Sequence, residues 1–445
     1  GTFRTSVFYT SPDTPAMYTP NRVLSLCMLL APHLATFTYA AAYLIPSTAV
    51  AGLFVSPNNV LQAPQRTVGM TMKATRVLET AVRNYVETAP AFEDADEAQA
   101  PAAANARSTG MLVFKEDMWH STSSLTPDLV DGEISDARIS HGSADDGFEW
   151  EVTSPITFSY RVREASNVLD PNSDLLIYGH IKSQEELALV KSRTLKRVVV
   201  VDEQVFKLYG DRIRTYFDSH GVDMKLMVLP TTEEHKDMDM VLEIAKAIDE
   251  HGVDRRYDPV IAIGGGVCMD IVGFASSIYR RRTPYIRVPT TLMGYVDASV
   301  GAKSGVNFNG KKNKLGAYLP PAMAILDRSF LSTLDERQLA NGAAEIVKMA
   351  MVKDAELMEL LEEHGSDLIK YKFQDFPAEL GGSRVPARVL QVAIQTMLEE
   401  LAPNLWEDSL NRLVDFGHIF SLELEMDTLF AEKLFHGEAV AIDMA

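Results

Sequence analysis

The sequence predicts an α/β protein, with a doubly wound parallel sheet first and an all-helical domain after it. Three observations lead there. Short β-branched runs alternate with amphipathic helical patterns over residues 148–326, the arrangement of a parallel sheet with crossover helices. One run passes straight into Gly264, Gly265 and Gly266, as a strand entering a ligand-binding turn does. After Asp327 the β-signals fade, and residues 327–445 keep helical periodicity alone.

Each element has its own signal. "EWEVTSPITFSYRV" alternates as a strand does, and regular structure is expected from about Phe148. "RVVVVDEQV" is a buried strand ending in the acid Asp202, followed by the helical "FKLYGDRIRTYFDSHG". "MKLMVLP" is the next strand, and "MDMVLEIAKAIDEHG" is an amphipathic helix closed by Gly252. "DPVIAIGGG" and "PYIRVPTTL" complete the strand set. In the second half, "DERQLANGAAEIVKMAMVKDAELMELLEEHG" and "RVLQVAIQTMLEEL" are helical.

Ahead of the folded part the composition changes twice. Residues 23–65 contain no Asp, Glu, Lys or Arg, but Pro32, His33 and Pro46 interrupt the apolar run. Arg66, Lys73, Arg76 and Arg83 then follow among Ser and Thr, which resembles an organelle transit segment of plastid type. A targeting leader, a membrane anchor and an untargeted, cytoplasmic protein with a meaningless leader all remain open. Residues 87–110 are rich in Ala, Pro, Glu and Asp and read as a linker, so 1–110 is expected to be leader and linker. The Ser- and Asp-rich stretch 111–147 is expected to be poorly ordered. The chain begins with Gly1 and stops at Ala445 inside a helical pattern, so a fragment is expected.

The chain has 445 residues and a formal net charge of −19, which argues against a nucleic-acid partner. Its two cysteines, Cys27 and Cys268, offer neither a disulfide framework nor zinc-finger spacing. Against the acidic background a basic cluster stands out: Arg280, Arg281, Arg282 and Arg287, then Lys303, Lys311, Lys312 and Lys314. A small anionic ligand would account for it, as would a solvated basic face.

The chemistry-bearing residues gather where strands end. The glycine turn before Asp270 suits a pyrophosphate at a helix N-terminus, although tight turns use glycine for other reasons and the GxGxxG spacing is absent. After "VPTTL", a Gly-rich loop carries Asp297, Lys303, Asn307, Lys312 and Asn313, at the edge where α/β proteins bind ligands. In the helical half, Glu345, His418 and His436 are types that suit a zinc-like ion. Their separations form no local motif, and a single histidine is more often a hydrogen-bonded structural residue. The residues alone therefore leave the metal open.

The motifs "GGGVCMD", "PTTL", "VDASVGAKSGVN", "GKKNKLGAY", "NGAAEIVK", "DFGH" and "HGEAV" occur in an order that resembles the dehydroquinate synthase superfamily, from about Phe148 to the end. The resemblance implies an NAD- and zinc- or cobalt-dependent cyclase that acts on a sugar phosphate. Transient oxidation, phosphate elimination, re-reduction and aldol closure would form the carbocycle. It implies that Asp202, Glu233, Lys236, Gly265, Gly266, Asp270, Thr290 and Thr291 bind NAD. Glu345, His418 and His436 would hold the ion, and Asp297, Lys303, Lys312, Asn313 and Lys348 would contact substrate. It also implies a homodimer.

Departures from the family pattern narrow the substrate. Asp415 stands where dehydroquinate synthases usually have Asn, Leu422 where they have a second His, and Ile419 where Thr is usual. No Arg aligns with their carboxylate-binding one, which favours a substrate without a carboxylate. "YRRRTPYIRVPTTL", "EELAPNLWE" and "RLVDFGH" look like the sedoheptulose 7-phosphate cyclases, and "HGEAV" looks more like the valiolone-forming than the deoxygadusol-forming members. Asp415 would then face the substrate ring, or else pair with Arg412 as a structural acid. Family members continue past "HGEAVAIDMA" with helices that cover one side of the cleft. Deoxygadusol formation, dehydroquinate formation, an inactive NAD-binding fragment and a polyol dehydrogenase are the alternatives.

Overall fold

The computed structural model describes residues 112–115, 118–121, 126–129, 138–144, 147–154, 156–426 and 433–445. The leader and linker lie outside the described residues. The chain divides into two units, residues 88–159 and, among the described residues of the other, Tyr160–Ala445.

The smaller unit is antiparallel. Strand β1 (Leu112–Lys115) pairs with β2 (Met118–Ser121), and β4 (Arg138–Ala144) pairs with both β3 (Thr126–Leu129) and β5 (Gly147–Thr153). Within 111–147, the stretch expected to be poorly ordered, the described residues are those of these ladders. Ladders are held by backbone groups, which a Ser- and Asp-rich composition does not remove. The expected strand from Phe148 is also split: β5 belongs here, and the parallel sheet begins beyond Pro155, which has no N–H to continue a ladder.

The larger unit is built on six parallel strands in the order β6-β13-β10-β9-β7-β8. They are β6 (Arg161–Ala165), β7 (Lys196–Asp202), β8 (Asp223–Leu229), β9 (Val260–Gly264), β10 (Tyr285–Pro289) and β13 (Met323–Asp327). The four inner strands are apolar on both faces, as a sheet covered on both sides requires. Val199 and Val201 of β7 face a core completed by Ile213 and Phe217. Val198 and Val200 face the other way, toward Ile244, Ile248 and Val272. The helices between strands are α1 (Leu175–Tyr178), α2 (Gln184–Lys191), α3 (Glu203–Ser219), α4 (Met238–His251) and α5 (Gly266–Ile278). From β7 the chain steps outward to β8 and then returns to β9 on the other side. The crevice between the ends of β7 and β9 is thus the topological switch point.

The segment after β10 is more regular than expected. Sequence read it as a Gly-rich loop, but it makes one wide helical turn, Gly294–Ala298, and an antiparallel hairpin of β11 (Lys303–Phe308) and β12 (Lys311–Tyr318). The overlooked signal is Asn309-Gly310, with φ of 55° and 70°, a pair suited to a tight hairpin turn.

No strand follows Asp327 among the described residues, as the fading β-signals predict. The helices are α6 (Glu336–Val352), α7 (Ala355–Lys370), α8 (Arg384–Leu401), α9 (Ser421–Met426) and α10 (His436–Met444). Helix α6 is central: every residue from Leu339 to Ala350 is buried. Its core continues through Leu292, Tyr295, Val296 and Leu326, so the helical part packs directly on the ends of β10 and β13. A Cβ at Gly342 would lie 2.5 Å from both Leu292 Cβ and Met293 N, so this approach requires glycine. No described helix is long and apolar enough to cross a membrane.

Candidate metal centre and active site

Glu345, His418 and His436, far apart in sequence, meet at one point. One ligand atom from each lies within 4.8 Å of the others. Glu345 is fixed by the buried face of α6. Helix α10 reaches it because Asn341, one turn earlier on α6, accepts the Gly437 N–H at 2.7 Å. A Cβ at Gly437 would lie 1.9 Å from the Asn341 carbonyl, so only glycine permits this crossing. Arg337 grips Glu438 with two hydrogen bonds of 2.7 and 2.9 Å and holds the same first turn. His418 follows Gly417, whose φ of 75° turns the chain under Val440 and Met444 of α10.

These donors fit a divalent cation. Glu345 is 1% exposed; Lys348 Nζ lies 2.5 Å from Oε2, while Oε1 has no hydrogen-bond partner. His436 Nε2 stands 3.6 Å from Glu345 Oε1, too far to satisfy it. His418 places Nδ1 3.1 Å from the Phe416 carbonyl, which leaves Nε2 for a ligand. A carboxylate with two imidazoles and room for a further ligand is a catalytic zinc donor set. Burial would raise the Glu345 pKa, but Lys348 and the two histidines outweigh it and hold it low. Burial, then Lys348, push His418 down.

The turn after β10 brings Asp297 to this cluster. Asp297 has its pKa raised by burial and by Glu345, against Lys348, His436 and His418. Arg287 shapes the turn: its guanidinium donates to the carbonyls of Ala298 at 2.9 Å, Gly301 at 2.6 Å and Lys303 at 2.9 Å. The basic cluster must therefore be corrected. Arg287 is fully buried and its guanidinium is engaged with backbone carbonyls, so it makes no direct contact available to a ligand. Lys303 rests on Glu407, which also takes Arg412 and, at 2.9 Å, the Tyr318 hydroxyl. Asp415 is paired with Arg412 through bonds of 2.6 and 2.9 Å, the structural partnership that its spacing allowed. Arg412 thus faces two carboxylates and has little capacity for a third.

At the switch point, Asp202 and the glycine turn are neighbours. A Cβ on Gly264 would lie 3.2 Å from Asp202 Cβ. Asp202 caps α3 through Gln204 N and Val205 N and accepts the Thr231 hydroxyl at 2.6 Å. Gly265 and Gly266 open α5, with Thr291 against Gly265 and Thr290 N bonded to the Gly264 carbonyl at 2.8 Å. Asp270, on the first turns of α5, binds buried Lys236 at 2.6 Å, and Lys236 also donates to Asn313 at 2.6 Å. Burial lowers the Lys236 pKa, but Asp270 and Glu233 raise it further. Glu233 accepts Asn307 at 2.8 Å and lies 3.6 Å from Lys312.

Glu345, His418 and His436 converge, and Asp297 and Lys348 lie beside them. Lys312, Glu233, Asn307, Asn313, Lys236 and Asp270 are joined by polar contacts, whereas Arg280, Arg281 and Arg282 lie beyond the far end of α5. Sequence reasoning missed Glu407 and Glu425. Glu425 accepts both Lys312 and, at 2.6 Å, His436 Nδ1. The only available signal for it was a buried acid on a short amphipathic stretch, which is weak.

A glycine turn at a switch point, facing a carboxylate and two imidazoles on a helical domain, is the architecture of a nucleotide- and metal-dependent enzyme. The 3-dehydroquinate synthase N-terminal family matches residues 226–341, and the 3-dehydroquinate synthase C-terminal family matches 342–445. A 2-epi-5-epi-valiolone synthase of Actinoplanes sp. is 48% identical over 296 residues, 66% of this chain and 71% of that protein. A demethyl-4-deoxygadusol synthase of Trichormus variabilis is 40% identical over 248 residues, 56% of this chain and 60% of that protein. The solved 2-epi-5-epi-valiolone synthase of Streptomyces hygroscopicus subsp. jinggangensis 5008, with NAD+ and Zn2+ bound, is 46% identical. Its TM-score is 0.58, with 66% of this chain and 75% of that chain covered. The chain belongs to the 3-dehydroquinate synthase family.

If the three side chains hold one ion, metal and fold stability are linked. At about a hundredfold excess over Kd, zinc should raise the melting temperature by roughly 5–10 °C. In Glu345→Gln the increment should disappear, as measured by thermal melts with zinc or with a chelator.

Proposed function

We propose that the chain is a sugar-phosphate cyclase that converts sedoheptulose 7-phosphate to 2-epi-5-epi-valiolone with loss of phosphate. The observation that carries this reading is the convergence of Glu345, His418 and His436 beside Asp297 and Lys348, at the edge of the glycine turn. Relatives at 46–48% identity are valiolone synthases, and the one at 40% makes demethyl-4-deoxygadusol. When bound, NAD supplies a reversible hydride acceptor, and a divalent zinc or cobalt ion supplies a Lewis acid that acidifies the neighbouring C–H.

This chain's own residues divide the remaining work. Glu345, His418 and His436 would hold the ion. Asp202, Glu233, Lys236, Gly265, Gly266, Asp270, Thr290 and Thr291 would line the nucleotide crevice. Asp297, half-buried beside the cluster, would orient a substrate hydroxyl, and Lys348 would stabilise oxygen charge there. Lys303, Lys312 and Asn313 would receive the phosphate, Lys303 by leaving Glu407. The pairing of Arg412 with Glu407 and Asp415 supports a substrate without a carboxylate. With Arg412 already taken by two acids, its guanidinium is not left to grip a carboxylate, while a polyol can donate hydrogen bonds to those acids. The family resemblance further supports a homodimer, and the leader's composition an organelle address.

Sedoheptulose 7-phosphate, NAD and zinc should yield one free phosphate per carbocycle, with the product mass of 2-epi-5-epi-valiolone and no net NADH. Phosphate release from the heptulosonate substrate alone would return the chain to dehydroquinate formation. The deoxygadusol product would change the subclass, and net NADH would indicate a dehydrogenase.

Lys303→Ala should lower turnover about a hundredfold or more, the usual cost of losing a group that stabilises developing charge. NAD affinity, measured by fluorescence titration, should stay near wild type. Equal loss of both would place Lys303 in the nucleotide site instead.

A further inference from the structure

We propose that Glu425 is a positioning residue of the metal centre, fixing the His436 tautomer and tying that histidine to Lys312 of the β11–β12 hairpin. The inference rests on the metal reading above. Glu425 lies on α9 and is 8% exposed, yet both its oxygens are engaged. Oε1 lies 2.6 Å from His436 Nδ1, and Oε2 takes the Lys312 ammonium. An ionised carboxylate only accepts, so the proton of the first bond must sit on Nδ1. In the neutral ring the lone pair is then left on Nε2, the atom that faces Glu345 Oε1 at 3.6 Å. That is the tautomer a metal ligand needs.

The two imidazoles are oriented by unequal acceptors, a carboxylate for His436 and the Phe416 carbonyl for His418. The carboxylate makes its ring the more basic ligand. A buried charge requires compensation, and Lys312 on the opposite oxygen supplies it. Glu425 is not needed to hold the backbone around it. Asp443 caps the start of α9 through Phe420 N and Ser421 N, at 2.6 and 3.0 Å. Asn341 and Arg337 already hold the first turn of α10. Because one carboxylate serves both partners, the ion's ligand and the hairpin lysine are set by the same side chain.

The test compares wild type with Glu425→Ala and Glu425→Gln. Zinc affinity is read by competition with a fluorescent chelator, and ligand geometry by the visible spectrum of the cobalt-loaded protein. Melting temperature without metal and NAD affinity serve as structural controls. In Glu425→Ala the zinc Kd should rise about 10–100-fold, with an altered cobalt spectrum and NAD affinity near wild type. Glu425→Gln can still accept from Nδ1 and should lose less, with a spectrum close to wild type. Zinc affinity within about twofold of wild type in both variants would overturn the proposal. So would losses of zinc affinity matched by a lower metal-free melting temperature and weaker NAD binding, which mark a general structural role. A wild type that itself takes up no zinc would overturn the metal reading, and this inference with it.

Discussion

The structure turns on the burial of one carboxylate. Glu345 sits on a helix buried from Leu339 to Ala350, 1% exposed, with Lys348 on Oε2 and no hydrogen-bond partner on Oε1. An uncompensated buried charge costs several kcal/mol, so its surroundings must be cationic. Lys348 supplies one positive charge from the same helix, and His418 and His436 turn their rings toward it. The features that deliver those rings are otherwise unexplained: the glycine crossing at Gly437, the left-handed Gly417, and the Arg337–Glu438 clamp.

From that centre a chain of polar contacts runs to the nucleotide crevice. His436 binds Glu425, Glu425 binds Lys312, and Lys312 faces Glu233. Glu233 accepts Asn307, whose side-chain oxygen accepts the Asn313 N–H at 3.0 Å. Asn313 takes Lys236, and Lys236 binds Asp270 on the glycine helix. One link, Glu425 with Lys312, joins the helical part to the β11–β12 hairpin, and the others lie within one part or the other. Such a network holds two half-sites in register, which a reaction using both a hydride acceptor and a Lewis acid requires.

Much of this was legible in the sequence, for physical reasons. Strands buried on both faces leave unbroken runs such as Val198–Val201, and a helix buried all round leaves the "NGAAEIVKMA" pattern of α6. The metal trio was not legible from spacing, because a ligand set drawn from two helices and a loop has no period. Only the resemblance to a family pointed to it. Arg287 was misread because composition reports a charge but not where it is spent. The hairpin was misread because its lysines and glycines mimic a loop, although Asn309-Gly310 was in plain view. Glu425 and Glu407 escaped notice because an acid's partners depend on tertiary contacts that no local pattern encodes.

The central claim is that three distant residues share one ion at the mouth of the nucleotide crevice. Anomalous scattering at the zinc edge, from crystals grown with NAD and zinc, tests it most directly. The account predicts one strong peak about 2.0–2.3 Å from Glu345 and from Nε2 of both His418 and His436. Zinc bound elsewhere, or bound without one of the three, would contradict it.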